Sequence, residues 1–110
     1  MLFKEPDFVA ELIYKTAKEG GRQTPAYSGY RPQVKFPFSK MQTSGQQKFI
    51  GKDAVYPGDT VNAEIAILSV EFFQHQLTEG MTFDFREGPR VIGTGRILKI
   101  LNSALQKAST

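Results

Sequence analysis

The hydrophobic residues of this chain recur mainly at every second position, which is the period of a β-strand with one buried face. Apolar and polar residues alternate in this way in residues 31–38, 60–68 and 81–86. Residues 7–14 begin with Asp7 and are otherwise apolar except for Glu11, which predicts a strand buried on much of both faces. The pattern predicts strands and no long helix.

The longest strand pattern, residues 90–100, carries two glycines on one face. Strict alternation groups Gly93 and Gly95 with Val91, and it places Ile92 on the opposite face. Paired glycines within a strand indicate strong coiling or the close approach of another backbone segment, as in a small barrel.

Turn residues separate the strand patterns. Pro57-Gly58 fits the central positions of a type II turn, and Glu87-Gly88 predicts a tight hairpin. A weaker strand is expected at residues 46–50, and polar residues 39–48 are expected to form an exposed hairpin end or a mobile loop. Five or six short strands predict an all-β fold, either a sandwich or a small closed barrel.

The chain has 110 residues, enough for one domain with a single core. We expect the barrel to occupy residues 1–101, followed by a polar tail at 102–110 that forms a short helical turn or frays. No apolar run has the length of a signal peptide core or a membrane span, so we expect a cytoplasmic protein without membrane association.

The composition argues against an enzyme. The sequence has no cysteine and a single histidine, His75, which excludes disulfides, zinc–thiolate sites and any scheme needing two histidines. No P-loop or dinucleotide-binding glycine motif is present. We therefore expect a non-catalytic protein with no cofactor and no metal. The net charge of +3 permits an anionic partner without requiring one.

Residues 19–33, EGGRQTPAYSGYRPQ, form a long polar stretch punctuated by glycine and proline. Arginines interleaved with tyrosines on a rigid loop suit contact with phosphate and ribose. The same composition suits a loop whose aromatic side chains plug a barrel end. Arg31 in this stretch can equally well pair with a carboxylate such as Glu87.

This stretch resembles the start of the C-terminal β-barrel domain, domain three, of elongation factor Tu. Residues 55–59, VYPGD, are similar to the family's Met-Pro-Gly-Asp turn, and residues 80–95 are similar to its closing Arg-Glu-Gly hairpin and strand. The resemblance covers about residues 3–101 and implies a six-stranded antiparallel barrel. Because the sequence starts at Met1 directly at this domain, we expect a free-standing divergent relative or a piece of a longer divergent protein.

In elongation factor Tu this domain contacts the T-stem of aminoacyl-tRNA. The resemblance carries the contact over to five residues, and two nearby arginines join them; the candidate RNA-binding residues are Arg22, Gln23, Arg31, Gln33, Glu87, Gly88 and Arg90. Gln23 stands where the family has histidine, and its amide can still donate to a phosphate. Pro89 replaces a glycine and removes one backbone donor. The first functional prediction is a module that binds tRNA or another RNA through its stem backbone.

The alternative is a protein-interaction module. The family's domain also packs on a GTPase domain and touches the exchange factor Ts, so a translational GTPase, an exchange factor or a second copy in a homodimer are the expected partners. The candidate interface residues are Phe72, Phe73 and His75, because two adjacent phenylalanines cannot both face one core. The other interpretation places one phenylalanine in the core and the other over the barrel end.

Overall fold

The computed structural model describes residues 4–108, which form short strands joined by turns. The strands are β1 (Phe8–Tyr14), β2 (Ala26–Tyr27), β3 (Gln33–Lys35), β4 (Gln42–Phe49), β5 (Ala54–Val55), β6 (Thr60–Ile67), β7 (Thr82–Glu87) and β8 (Arg90–Ile100). The helices of this part of the chain are two 3₁₀ turns, Val70–Phe72 and Ser103–Leu105, and neither has the length or apolar character needed to cross a membrane. Residues 1–3 of the expected barrel and 109–110 of the expected tail lie outside the described residues.

Six strands close into one antiparallel barrel in the order β1-β6-β4-β3-β7-β8, and β8 pairs back onto β1. The remaining two strands, β2 and β5, pair with each other in a separate short ribbon. Closure leaves the barrel strands without an unpaired edge, which removes the usual route to edge-to-edge aggregation. The predicted all-β class and six-stranded antiparallel barrel are confirmed.

The barrel core follows from the alternation of the strands. In β1 every second residue, from Phe8 to Tyr14, is buried. Ile13 lies on the opposite face and is 49% exposed, so the expectation of a strand buried on both faces is wrong. Aromatic rings fill the centre in edge-to-face contacts; Phe8, Phe36 and Phe83 meet with ring centroids 5.7 to 6.3 Å apart. Such contacts add to the free energy gained by burying the rings.

Strand β4 corrects the expected loop at residues 39–48. It lies between β3 and β6 and pairs with both. Its inward positions are Thr43, Gly45, Gln47 and Phe49, of which Phe49 is the only large apolar residue. A side chain at Gly45 would begin 2.5 Å from Val34 Cγ2, so glycine is needed there. The alternation of apolar and polar residues is weak in the sequence of β4, because small and polar residues occupy its buried positions.

The two glycines of β8 lie directly under phenylalanine rings of β7. Phe85 pairs with Gly93, and Phe83 pairs with Gly95. A Cβ at Gly93 or Gly95 would lie 2.2 or 2.3 Å from the ring above it. The nearest atoms are thus side-chain atoms rather than the expected backbone, and at Gly93 a backbone atom, the Ile13 carbonyl oxygen at 2.8 Å, also approaches. The pairing shifts between Phe85 and Arg86, and this bulge turns Ile92 into the core. Strict alternation therefore assigned Ile92 to the wrong face.

The segment that follows β8 packs against the barrel. The expected short helical turn is present at Ser103–Leu105, and Leu105 is fully buried. Asp7, also buried, accepts hydrogen bonds from the backbone N–H of Ile67 and from the Asn102 side-chain amide, at 2.8 and 2.9 Å. These contacts fasten residues 102–106 to the start of β1.

Candidate nucleic-acid interface

The hairpin between β7 and β8 forms one side of the candidate interface. Glu87 and Arg90 pair across it, which leaves a two-residue turn. Gly88 takes the first turn position with φ of 60°, as a type II′ hairpin requires, so the predicted tight turn is confirmed. This turn places the side chains of Glu87 and Arg90 close together at the barrel end.

The loop after β1 forms the other side. Glu19 Oε1 accepts hydrogen bonds from the backbone N–H and the hydroxyl of Thr16, each 3.0 Å long, and so closes the first turn of the loop. Gly21 lies against the backbone: a Cβ there would be 2.3 Å from the Lys15 carbonyl oxygen. The folded loop directs Arg22, the next residue, toward the hairpin.

Four side chains meet where the loop reaches the hairpin, and we call Arg22, Tyr30, Glu87 and Arg90 the Glu87 cluster. Glu87 Oε2 accepts hydrogen bonds from Arg22 Nη1 and the Tyr30 hydroxyl, and Glu87 Oε1 accepts one from Arg90 Nη2 at 3.3 Å. The Arg22 guanidinium also lies 4.5 Å from the centre of the Tyr30 ring, in cation–π geometry. One carboxylate thus holds two arginines and one tyrosine.

Arg22 has further bonds within its own loop. Its Nη2 donates to the Thr24 hydroxyl at 3.2 Å and to the Pro25 carbonyl at 3.3 Å. The Arg22 side chain is 19% exposed, whereas the Arg90 side chain is 53% exposed. Arg22 therefore fixes the loop against the hairpin, and Arg90 presents its guanidinium to solvent.

Electrostatics hold the cluster in one charge state. Burial alone would raise the pKa of Glu87, but hydrogen bonds from Tyr30 and Arg22 outweigh it and leave that pKa below its ordinary value. Burial, followed by the hydrogen bond to Glu87, raises the pKa of Tyr30. At neutral pH Glu87 is an anion and Tyr30 a neutral donor.

A buried polar pair lies beneath the cluster. The Tyr14 hydroxyl donates to Gln47 Oε1, and burial raises the pKa of that phenol. Gln47 is 1% exposed, and its Nε2 has no hydrogen-bond partner within residues 4–108.

The other candidate RNA-binding residues occupy two places. Gln33 on β3 pairs in register with Arg86 of β7, beside the hairpin. Gln23 is exposed next to Arg22. Arg31 instead lines a surface cavity of about 320 Å³ with Ser44 and Leu68, on the wall formed by β4 and β6. The carboxylate that Arg31 was expected to pair with, Glu87, is bound by Arg22, Tyr30 and Arg90.

Sequence reasoning missed two members of this surface. Tyr30 is one of the tyrosines interleaved with the loop arginines but was not among the candidate RNA-binding residues, and nothing in the sequence reveals its bond to Glu87. Arg86 was overlooked, although the alternation in residues 81–86 places it on the outer face. Arg86 Nε donates to Asp84 Oδ1 at 2.7 Å, two positions back on the same strand.

The expected protein-interface residues separate in the structure. Phe73 is fully buried, with its ring 5.2 Å from that of Phe36, so its assignment to an interface is wrong. Phe72 is 56% exposed, so the part of the other interpretation that places only one of the two rings in the core is confirmed. His75 is exposed at φ of 61°, and its Nδ1 lies 3.3 Å from the Gln106 carbonyl oxygen, to which it donates.

The chemistry of the Glu87 cluster suits an anion better than a cation. A metal site needs several carboxylate or imidazole ligands, and no group of three such residues in the described part of the chain is placed to hold a metal ion. The cluster and its neighbour Gln23 instead offer guanidinium and amide donors. Donors of this kind bind phosphate and ribose oxygens.

The chain also matches a known protein family. The sequence model of the family of elongation factor Tu C-terminal domains matches residues 3–101. This range is nearly the whole chain and includes all six barrel strands. The matched region carries both the loop of Arg22 and the hairpin of Glu87. This agrees with the resemblance noted in the sequence and with the closed antiparallel architecture. The chain belongs to the family of elongation factor Tu C-terminal domains.

Proposed function

We propose that this domain is a non-catalytic binding module of translation that contacts the backbone of an RNA stem through the surface around the β7–β8 hairpin. The observation that carries the proposal is the Glu87 cluster, in which Arg90 is held at one end by Glu87 while half of its side chain faces solvent. A guanidinium positioned in this way contacts phosphate at a low cost in side-chain entropy.

The surface beside the cluster extends this contact. Gln23 is exposed on the loop, and Gln33 projects from the outer face of the barrel beside Arg86. Amide side chains both donate and accept, so they suit 2′-hydroxyl groups as well as phosphate oxygens. An A-form stem displays both groups along its wide minor groove. The mixture of guanidinium and amide groups favours recognition of RNA shape over base sequence.

Arg22 contributes in a different way. Its guanidinium bonds to Glu87, Thr24 and Pro25, so its main role is to hold the loop that presents Gln23. We expect Arg22→Ala to weaken RNA binding by loosening the loop, and Arg90→Ala to weaken it by removing a phosphate contact.

Fluorescence anisotropy of a labelled RNA stem-loop, titrated with the domain at several salt concentrations, tests the proposal. Arg90→Ala should weaken binding and reduce the slope of log K against log salt by about 0.7 to 0.9, the contribution of one phosphate. Lys107→Ala removes the same charge from an exposed position beside the 3₁₀ turn Ser103–Leu105, and it should leave both quantities unchanged.

A DNA hairpin of the same sequence completes the experiment. It should bind more weakly than the RNA, because it lacks the 2′-hydroxyl groups. Absence of binding at low salt, or equal effects of Arg90→Ala and Lys107→Ala, would overturn the proposal. A Gln33→Ala variant that binds RNA and DNA with an unchanged ratio would exclude Gln33 from the contact.

A second proposal concerns the end of the barrel where the two 3₁₀ turns lie. Leu68 and Phe72 are 74% and 56% exposed in one loop, and Phe38, 41% exposed, packs beside that loop against Phe73. Exposed apolar side chains in one region mark protein interfaces. We propose that this face docks on a translational GTPase or its exchange factor.

Sedimentation of the domain with a purified elongation factor GTPase domain, and separately with exchange factor Ts, tests the second proposal. Phe72→Ser should abolish a complex that the unaltered domain forms. A complex that Phe72→Ser leaves intact, or no complex with either protein, would refute it. A homodimer dispersed by Phe72→Ser would assign the face to self-association instead.

A further inference from the structure

Two tyrosines beside the Glu87 cluster are largely exposed. Tyr27 is 63% exposed at the end of β2, and Tyr56 is 58% exposed directly after β5. Neither side chain is needed to fill the core, because Ala26 and Val55 occupy the buried face of this ribbon at 2% and 0% exposure. Large rings grouped in solvent on one face mark a candidate binding surface.

The strand pairing places both tyrosines on one face. Ala26 pairs with Val55, and Tyr27 pairs with Ala54. Tyr56, two residues beyond Ala54, is therefore the diagonal neighbour of Tyr27 on the exposed side. Diagonal neighbours in an antiparallel pair are about 7 Å apart. At this spacing both exposed side chains can contact one nucleotide.

This tyrosine face is continuous with the proposed RNA surface. Arg22 of the Glu87 cluster bonds to the carbonyl of Pro25, the residue before β2. On the other side, the turn after Tyr56 touches the loop that carries Lys18: the Asp59 carbonyl accepts the backbone N–H of Tyr14, and the Thr16 methyl carbon would lie 3.1 Å from a Cβ at Gly58.

The charge around the face suits a nucleotide. Lys18 is exposed on the loop after β1, and Lys52 is exposed two residues before β5. Two carboxylates lie three positions from Tyr56: Asp59 accepts the backbone N–H of Tyr56 at 3.0 Å, and Asp53 is exposed beside Lys52. Aromatic rings flanked by lysines are the usual arrangement for unpaired nucleotides, because the rings stack on bases while the cations contact phosphates.

We propose that Tyr27 and Tyr56 form a stacking site for an unpaired nucleotide that adjoins the RNA stem held at the Glu87 cluster. This inference rests on the proposed RNA binding and specifies its substrate class: a stem with a single-stranded extension. A blunt stem contacts only the Glu87 cluster, whereas a stem with an overhang contacts both the Glu87 cluster and the two tyrosines.

Anisotropy titrations with three RNAs test this inference: a blunt stem-loop, the same stem-loop with an overhang of about four nucleotides, and the overhang sequence alone. Each is titrated with the unaltered domain and with single variants of Tyr27 and Tyr56. Both tyrosines are exposed, so substitution should leave the fold intact, which thermal unfolding of each variant verifies.

We expect the overhang to tighten binding by about fivefold to a hundredfold over the blunt stem, the gain measured for stacking one base on a protein ring. Tyr27→Ala and Tyr56→Ala should each remove most of this gain and leave affinity for the blunt stem unchanged. Tyr27→Phe should keep the gain, because stacking needs the ring and not the hydroxyl. Tyr27→Leu should lose it, although leucine is also apolar.

The failures are distinguishable. If the blunt stem binds and the overhang adds nothing, the stacking site is wrong and the proposed RNA binding stands. A gain that survives both alanine variants, or one that Tyr27→Leu retains in full, also overturns the stacking site. If neither stem binds, the proposed RNA binding fails and the stacking site fails with it.

Discussion

Arg22 donates a hydrogen bond to Glu87 across the end of the barrel, although the two residues are 65 positions apart in the chain. The bond joins the loop after β1 to the hairpin between β7 and β8. Tyr30 and Arg90 bind the same carboxylate, so loop and hairpin form one surface.

Replacing Glu87 by glutamine should change the pH dependence of stability. The folded state lowers the pKa of Glu87, so its ionised form stabilises the fold above the unfolded pKa. That contribution is lost as the pH falls below about 4.3, the ordinary glutamate value. We expect Glu87→Gln to reduce the free energy of unfolding by about 1 kcal/mol at pH 7, since the side chain is partly exposed.

Urea unfolding at pH 7 and pH 3 measures this effect. The difference between the unaltered domain and Glu87→Gln should shrink at pH 3, because that pH lies below the ordinary pKa of glutamate and the unfolded state binds a proton there. Glu79→Gln, at an exposed position before β7, serves as the control and should change stability little at either pH. A difference that stays constant from pH 7 to pH 3 would contradict the assigned charge.

The two arginines of the cluster should differ in their effect on stability. Arg22 is mostly buried and bonds within its loop as well as to Glu87, so Arg22→Ala should cost about 1 to 2 kcal/mol. Arg90 is half exposed, and Arg90→Ala should cost less than about 0.5 kcal/mol. Thermal unfolding distinguishes the two variants, since a change of 1 kcal/mol in the free energy of unfolding shifts Tm by about 4 to 8 °C in a domain of this size.

A lysine at position 22 should not rescue the cluster, because an ammonium cannot bond to Glu87 and Pro25 with the planar geometry of guanidinium. Equal losses of stability in Arg22→Ala and Arg90→Ala would disprove the division of roles between the two residues.

Gly93→Ala should destabilise the barrel strongly. The new methyl group would lie 2.2 Å from the Phe85 ring and 2.8 Å from the Ile13 carbonyl oxygen, so the strands must separate. We expect a loss of about 2 to 3 kcal/mol in urea unfolding. Thr94→Ala, at the exposed next position, should stay within about 0.5 kcal/mol.

A double-mutant cycle identifies the cause. Phe85→Leu combined with Gly93→Ala should cost less than the sum of the two single changes, because the smaller side chain removes one of the clashes. Strict additivity would show that the ring is not what excludes a side chain at position 93.

Leu105→Ala should lower the free energy of unfolding by about 2 to 4 kcal/mol, since Leu105 is fully buried against the barrel. Gln106→Ala is a matched control: the neighbouring side chain is exposed, and its backbone bonds are kept. A loss of less than about 1 kcal/mol for Leu105→Ala would show that the segment after β8 is not integral to the core.

The strands with strong alternation could be predicted from the sequence because a half-buried strand leaves a period of two in its side chains. Residues 60–68 and 81–86 are examples, and both appear as β6 and β7. Turn chemistry also placed the hairpin at Gly88, since few residues accept its positive φ. Strand β4 was predicted only in part, as a weak strand at residues 46–50, because a glycine and a glutamine occupy two of its buried positions.

The sequence by itself determined the alternation, the turns and the family motifs, since these depend on residues close together in the chain. Only the tertiary structure decided which distant groups meet. Barrel closure brings Arg22 to Glu87, and the bulge in β8 turns Ile92 inward. The pairing of β2 with β5 leaves Tyr27 and Tyr56 on one exposed face. Such contacts follow from strand order and register, which no local pattern of side chains encodes.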